Sequence, residues 1–350
     1  MNEIKISDYY DEGYRSRGAN MLKFLLMPFV MFVLFGFPTS FGSYIQVFSN
    51  FAAPAFYILC GFFVLCPDEK KRTAKIKRAL KKSFKFFVWL FISYTIISVA
   101  YLFFIKANWI PIILGKRVHF NFLFLNIWPE VFPVGSSIWF IQSLFYAYIF
   151  FYVADKIKLL RFYVPLLIVF YLIMLFTGEF SALAGFPYFG YPFIPGGAVT
   201  RAIPYMLTGM LIRKNADRLL TLRRPLYILF FIAGLALALL ELFLLSYFHI
   251  LIYYGHLIGF GIMALSLCCL ALSAPKIKEN FITAHGRNYA RRIYALCQPV
   301  SILVNLSLGF TIVPEYFRYV IEYKSIIVFF VCLGISYLVG LVKYAKALKN

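Results

Sequence analysis

Charged residues are scarce in this 350-residue chain: Asp, Glu, Lys and Arg make up 14% of it, against 62% hydrophobic residues. A soluble domain needs about a quarter of its residues charged, so this composition cannot cover a water-facing surface. Histidine occurs four times and Asp plus Glu only 14 times. The chain has no H-E-x-x-H or C-x-x-C pair, no P-loop, no G-x-G-x-x-G and no serine hydrolase elbow. The sequence signals of zinc proteases, zinc ribbons, nucleotide hydrolases and α/β-hydrolases are therefore missing. The aspartates are few and scattered (Asp8, Asp11, Asp68, Asp155 and Asp217), with no signature of a paired-carboxylate glycosidase site. Six cysteines sit in or at the edges of apolar runs and read as small hydrophobes, with neither disulfides nor a metal site expected.

What the chain has instead is apolar runs about as long as a bilayer core is thick. They fall at roughly 22–40, 45–65, 84–105, 138–154, 160–177, 199–212, 225–247, 250–274, 293–312 and 325–342, and the mean hydropathy is +0.81. The runs are continuous rather than alternating, which predicts helices and not a barrel. The expected fold is an all-α polytopic membrane protein of about ten transmembrane helices, one integral domain over residues 1–350. The first twenty residues are polar and mixed in charge and no A-x-A-like site follows, so the first run reads as a retained anchor.

The net charge is +21, with 35 Lys and Arg. With the amino terminus placed in the cytoplasm, 29 of those 35 fall on the cytoplasmic side of the ten runs. That asymmetry predicts both termini inside. Nine of the cations lie in "CPDEKKRTAKIKRALKKSFK", residues 66–85, read as a cytoplasmic loop. Anionic membrane lipids attract such a stretch by about 1 kcal/mol per basic residue. No aromatic interleaving or binding motif accompanies it, so no nucleic-acid partner is expected.

Two non-spanning stretches lie on the outer side. Residues 106–137 carry Trp109 and Trp128, suited to the interface, and 178–198 is rich in Gly, Pro and aromatics. Ionisable groups inside spans are costly and so point to function. Glu241 lies deep in "LALALLELFLLSYFH", His249 follows eight residues later, and His256 lies in "YYGHLIGFG". A tight hairpin would set Glu241 against His256, either as an oriented general base or as a structural hydrogen bond between helices. Arg201, at the outer start of the sixth run, binds an anionic group or snorkels to headgroups.

Several weak motifs then occur in a shared order. "RSRGANMLK" carries Arg15, Asn20, Leu22 and Lys23; "FYILCGF" carries Cys60, Gly61 and Phe62; "KSFK" carries Lys82 and Lys85. "IWFI" opens the fourth run with Trp139 and Phe140, and "PYMLTGMLIRK" and "GRNYARRIYALCQPV" follow. This order over nearly the whole chain resembles the acyltransferase-3 family of membrane O-acyltransferases. The resemblance implies a cytoplasmic acyl-CoA donor, often acetyl-CoA, used as substrate with no bound cofactor. It also implies a carbohydrate or lipid-linked glycan acceptor handled toward the outer side of a bacterial cytoplasmic (inner or plasma) membrane. Arg15, Arg78, Lys82 and Lys85 are then expected at the donor's phosphates, with Trp139, Arg201 and Tyr294 at the substrate. Catalysis is expected from His256, Glu241 and Lys23. Homo-oligomerisation is left open.

Two positions depart from the family. The histidine taken as catalytic stands eleven residues after the basic residue of the first motif, which is Leu34 here, and the late "IYLLH" histidine aligns with Cys297. Leucine cannot move a proton. A non-catalytic relative acting in glycan translocation or assembly therefore stands beside the enzyme as the alternative. A proton-coupled transporter would rest on Glu241 and His256 alone, without the internal repeats expected there.

Overall fold

The computed structural model describes residues 10, 16–37, 42–104, 138–177, 180, 197–248, 257–274, 277–278, 280–309 and 323–349. Among them all regular structure is helical, with no strand. The helices are α1 (Arg17–Leu25), α2 (Met27–Phe35), α3 (Gly42–Phe48), α4 (Ala52–Val64), α5 (Glu69–Phe104), α6 (Trp139–Lys156) and α7 (Tyr163–Thr177). They continue with α8 (Ile203–Lys214), α9 (Ala216–Leu219), α10 (Arg224–Tyr247), α11 (Ile258–Leu272), α12 (Phe281–Gly309) and α13 (Lys324–Lys349). The stretches at 106–137 and most of 178–198 lie outside the described residues, as do Arg15, His249 and His256.

Five segments among the described residues are long and apolar enough to cross a membrane: Arg17–Phe35, Tyr44–Val64, Leu159–Phe176, Arg224–Tyr247 and Lys324–Val342. Ile258–Leu272 is a shorter apolar helix. The Tyr44–Val64 segment is mostly buried, whereas α7, α10 and α13 expose large apolar side chains such as Ile168, Leu229, Phe243 and Leu338. A surface of that kind is stable against lipid tails and not against water, so this is an integral membrane protein. Helices α5, α6 and α12 also belong to the bundle but carry polar residues along one side, which lowers their mean hydropathy. Of the ten expected spans, five thus stand among the described residues as helices long and apolar enough to cross a membrane.

The 66–85 stretch is not a loop. Residues 69–104 form one helix of 36 residues, about 54 Å long at 1.5 Å per residue, against a hydrocarbon core of about 30 Å. The Asp68 side chain caps it by accepting from the Lys71 amide at 3.0 Å, and that bond holds the Asp68 carboxyl below its usual range. Lys, Arg, Ala and Leu then carry the helix forward, since high charge does not interrupt helical propensity. The first span is likewise displaced. It begins at Arg17 rather than near residue 22 because Ser16 caps it, accepting from the Ala19 amide at 3.1 Å.

Packing is set by small residues and a few polar ties. A Cβ on Gly61 of α4 would overlap the Met206 carbonyl, and one on Gly209 of α8 would overlap the Ile58 carbonyl. The two helices touch through their glycines, the usual device where lipid supplies no hydrophobic drive. These are the glycines of the "CGF" and "LTGM" motifs.

At the basic end of the bundle, Arg72 Nε donates to Asp155 Oδ1 at 2.6 Å. The Thr73 hydroxyl donates to the other Asp155 oxygen. Both members of the ion pair are almost wholly buried, which locks the start of α5 to the end of α6. Nearby, Tyr10 donates to the Leu272 carbonyl at 2.8 Å and Asn20 to the Thr283 carbonyl at 3.2 Å. Asn280 and Thr283 exchange side-chain-to-amide bonds of 2.8 Å, a reciprocal box that starts α12.

Candidate functional site

A cavity of about 700 Å³ runs through the bundle between α1, α2, α4, α5, α6 and α12. Each helix contributes one face. Asn20, Lys23, Met27, Val30 and Leu34 recur at helical spacing along the first span. Lys75, Arg78, Lys82 and Phe86 do the same on α5, and Arg287, Arg291 and Tyr294 on α12. From Ser16 to Leu34 the lining extends over 18 helical steps, or about 27 Å of helix, close to the thickness of a hydrocarbon core.

Polarity changes along this length. The basic end holds Ser16, Lys75, Arg78, Lys82, Arg287 and Arg291. Lys23 stands deeper, its Nζ 5.1 Å from the Phe63 ring centroid, and is electrostatically coupled to Arg287 and Cys60. Cys60 in turn interacts with Tyr148. Beyond them the wall is apolar, with Met27, Val30, Leu34, Phe56 and Phe140. Its aromatic part is tightly keyed: Tyr57 stacks on Phe140 at 4.6 Å, and Phe140 meets Tyr294 edge-on at 5.9 Å. At the far end stand Trp139, Asn50 and Arg201, with the Arg201 guanidinium 5.3 Å above the Trp139 ring. Seven cations and no carboxylate line the cavity among the described residues. Low-dielectric walls around charges of one sign concentrate an oppositely charged ligand.

The residues expected from sequence divide cleanly. Lys23, Arg78, Lys82, Trp139, Arg201 and Tyr294 all line this one space. Lys85 does not: three positions past Lys82, it lies on the exposed side of α5. Glu241 does not either. Its two carboxylate oxygens accept from the Ile258 and Gly259 amides at 3.1 and 3.0 Å, so it caps α11 from the neighbouring α10. Of the two readings left open for Glu241, the structural one is what this geometry favours, because amides at the start of a buried helix need an acceptor. Leu34 does face the cavity, and Cys297 is buried outside it with Sγ 3.1 Å from the Tyr294 carbonyl.

Sequence reasoning missed Lys75, Arg287, Arg291, Cys60 and Tyr148. The signal for Lys75 was present: Lys75, Arg78, Lys82 and Phe86 are spaced 3, 4 and 4 apart, a single helix face. It was hidden by reading residues 66–85 as a loop, which has no faces.

A membrane bundle with a cation-lined cavity open to both chemistries, polar and apolar, defines the class. Residues 17–345 match the family model described as an acyltransferase domain. The chain belongs to the acyltransferase-3 family, whose general work is membrane acyl transfer. No curated protein and no solved structure matches it.

Proposed function

We propose that this protein is an acyl-CoA-dependent O-acyltransferase of a bacterial cytoplasmic membrane. It carries an acyl group, acetyl by family habit, to a hydroxyl of a surface or lipid-linked carbohydrate. The supporting observation is the cavity itself, which joins a cationic mouth through Lys23 to an aromatic, arginine-bearing far end. In this reading the CoA phosphates rest among Lys75, Arg78, Lys82, Arg287 and Arg291, and the pantetheine arm extends inward toward Lys23. The acceptor oxygen attacks the thioester carbonyl, and the Lys23 ammonium steadies the oxyanion that forms. Collapse breaks the carbon–sulfur bond, and CoA leaves as the thiol with the proton the hydroxyl gave up. With Leu34 inert and Glu241 occupied at α11, the proton passes through the Lys23, Cys60 and Tyr148 cluster. The basic end faces the cytoplasm, as a ten-span chain with both termini inside requires.

The test is thiol release from acetyl-CoA by purified protein with and without its own cell-surface glycan, followed by mass analysis of the glycan. Glycan-dependent release with a gain of one acetyl mass is the expected result, and neither release nor acetylation refutes the reading. Extracellular labelling of a cysteine introduced within residues 66–85 would reverse the topology and remove the donor mouth.

One observation favours a second reading. Leu34 occupies the cavity wall where the family's histidine is expected, so a relative that binds glycan without transferring acyl groups fits the same architecture. Glycan binding with no turnover of acyl-CoA would select it.

A further inference from the structure

Three walls of the cavity change character at one level and in one rhythm. On the first span Lys23 is followed in the lining by Met27, Val30 and Leu34, at steps of four, three and four residues. From Cys60 on α4 the lining steps back four and then three residues to Phe56 and Ala53. From Tyr148 on α6 it steps back four and three to Leu144 and Ile141. Such spacing keeps each set on one face of its helix. Lys23 is electrostatically coupled to Cys60, and Cys60 interacts with Tyr148, so the three polar residues share one level. The Phe29 and Phe51 ring centroids lie 5.1 Å apart, and those of Phe56 and Phe140 5.9 Å apart. All three faces therefore run the same way from that level, away from the basic end, and the side chains they add are apolar.

In the acyl-transfer reading the thioester carbonyl lies at Lys23, and its sulfur is joined to the pantetheine arm that enters from the basic end. The other substituent of that carbonyl is the alkyl chain, which leaves on the opposite side, into the apolar stretch. Leu34 stands eleven residues past Lys23, or about 16 Å along the helix. Carbon–carbon bonds of about 1.5 Å advance an extended chain by about 1.3 Å each, so the stretch matches on the order of ten carbons. An acetyl group reaches only its entrance. At the far end Asn50 and Arg201 close the apolar lining, and a chain reaching them would press hydrocarbon against polar groups at the cost of their hydration. Resting on the acyl-transfer reading above, we infer that these three faces form an acyl-chain site, which makes a medium-chain acyl-CoA of about eight to twelve carbons the preferred donor. Acetyl-CoA is then the smallest donor taken, and a poorer one. Leu34, where the family's histidine is expected, becomes part of the chain site, its isobutyl group extending an apolar wall that an imidazole would interrupt.

The experiment measures kcat/KM for thiol release by purified full-length protein in lipid nanodiscs, with its own cell-surface glycan present. The donors are acetyl-, butyryl-, octanoyl-, lauroyl- and palmitoyl-CoA, each below its micelle concentration. Burial of one methylene corresponds to about fourfold in kcat/KM, so octanoyl- or lauroyl-CoA should exceed acetyl-CoA by about tenfold or more. Palmitoyl-CoA should fall below that peak. Leu34→Trp and Ala53→Phe each fill the stretch from a different helix and should lower the octanoyl-to-acetyl ratio by about tenfold. That ratio does not depend on how much of a variant folds. Acetyl-CoA used as well as the longer donors, or better, overturns the inference while leaving acyl transfer standing. A steady rise through palmitoyl-CoA, the mark of donors gathering in the bilayer, also overturns it, and so does a peak that neither variant moves. If neither variant folds, the wild-type profile decides alone. No thiol release from any donor, with no acylated glycan, refutes the acyl-transfer reading and this site with it.

Discussion

Lys82 and Lys85 lie on the same helix three residues apart, yet only Lys82 borders the cavity. Neutralising each in turn therefore separates a local contact with the donor from the general charge of α5. Two unit charges 4 Å apart interact by about 1 kcal/mol in water and about 4 kcal/mol at the effective dielectric of a protein surface. Lys82 is exposed at the cavity edge, so its contact with a phosphate belongs near the lower part of that range. A loss of about 1.5 kcal/mol, the low end for hydrogen bonds to charged groups, corresponds to roughly a tenfold rise in donor KM. Lys82→Gln should therefore raise the acetyl-CoA KM about tenfold with kcat nearly unchanged, since the phosphates are bound alike in ground and transition states. Lys85→Gln should change it less than about twofold, because Lys85 is exposed and lines no part of the cavity, and an exposed charge without direct contact acts only through the water- and salt-screened field. Initial rates of thiol release across a donor titration, at two salt concentrations, measure both. Equal effects of the two substitutions would refute the reasoning, because they would mean that the donor senses the net charge of the helix and not the cavity wall.

The Arg72–Asp155 pair supplies a stability prediction: Asp155→Ala strands a buried guanidinium and should cost about 3–5 kcal/mol, read as a lower unfolding temperature in detergent. Glu241→Ala leaves the Ile258 and Gly259 amides without their acceptor and should cost about 1–2 kcal/mol. Its activity loss should follow the loss of folded protein, whereas a catalytic Glu241 would lose turnover at unchanged stability. Leu34→His restores an imidazole to the cavity wall and should raise transfer by about 10²–10⁴-fold if the wild type lacks an equivalent base; an unchanged rate would mean that the base is already supplied elsewhere. Gly209→Leu should separate α4 from α8 and abolish a monodisperse elution peak, since the Ile58 carbonyl occupies the space a side chain needs.

Composition alone was enough to establish a membrane-embedded helical chain, because scarce charge and bilayer-length apolar runs admit few other solutions. The ordered motifs were enough for the family, and they carried Lys23, Lys82, Trp139 and Tyr294, while the pattern of cations added Arg78 and Arg201. Their convergence on one cavity was decided only by tertiary structure. Residues 23, 82, 139, 201 and 294 come from helices far apart in sequence, and helix packing, not spacing, sets which faces meet. Tertiary structure also separated Lys82 from Lys85: the two share one side of the helix at i, i+3 spacing, and only the packing of the neighbouring helices decides where the cavity wall ends. It also set the Glu241 carboxylate on the first amides of α11. A carboxylate in an apolar run looks the same in sequence whether it serves chemistry or a neighbour's helix end, and the difference lies in which buried amides arrive beside it.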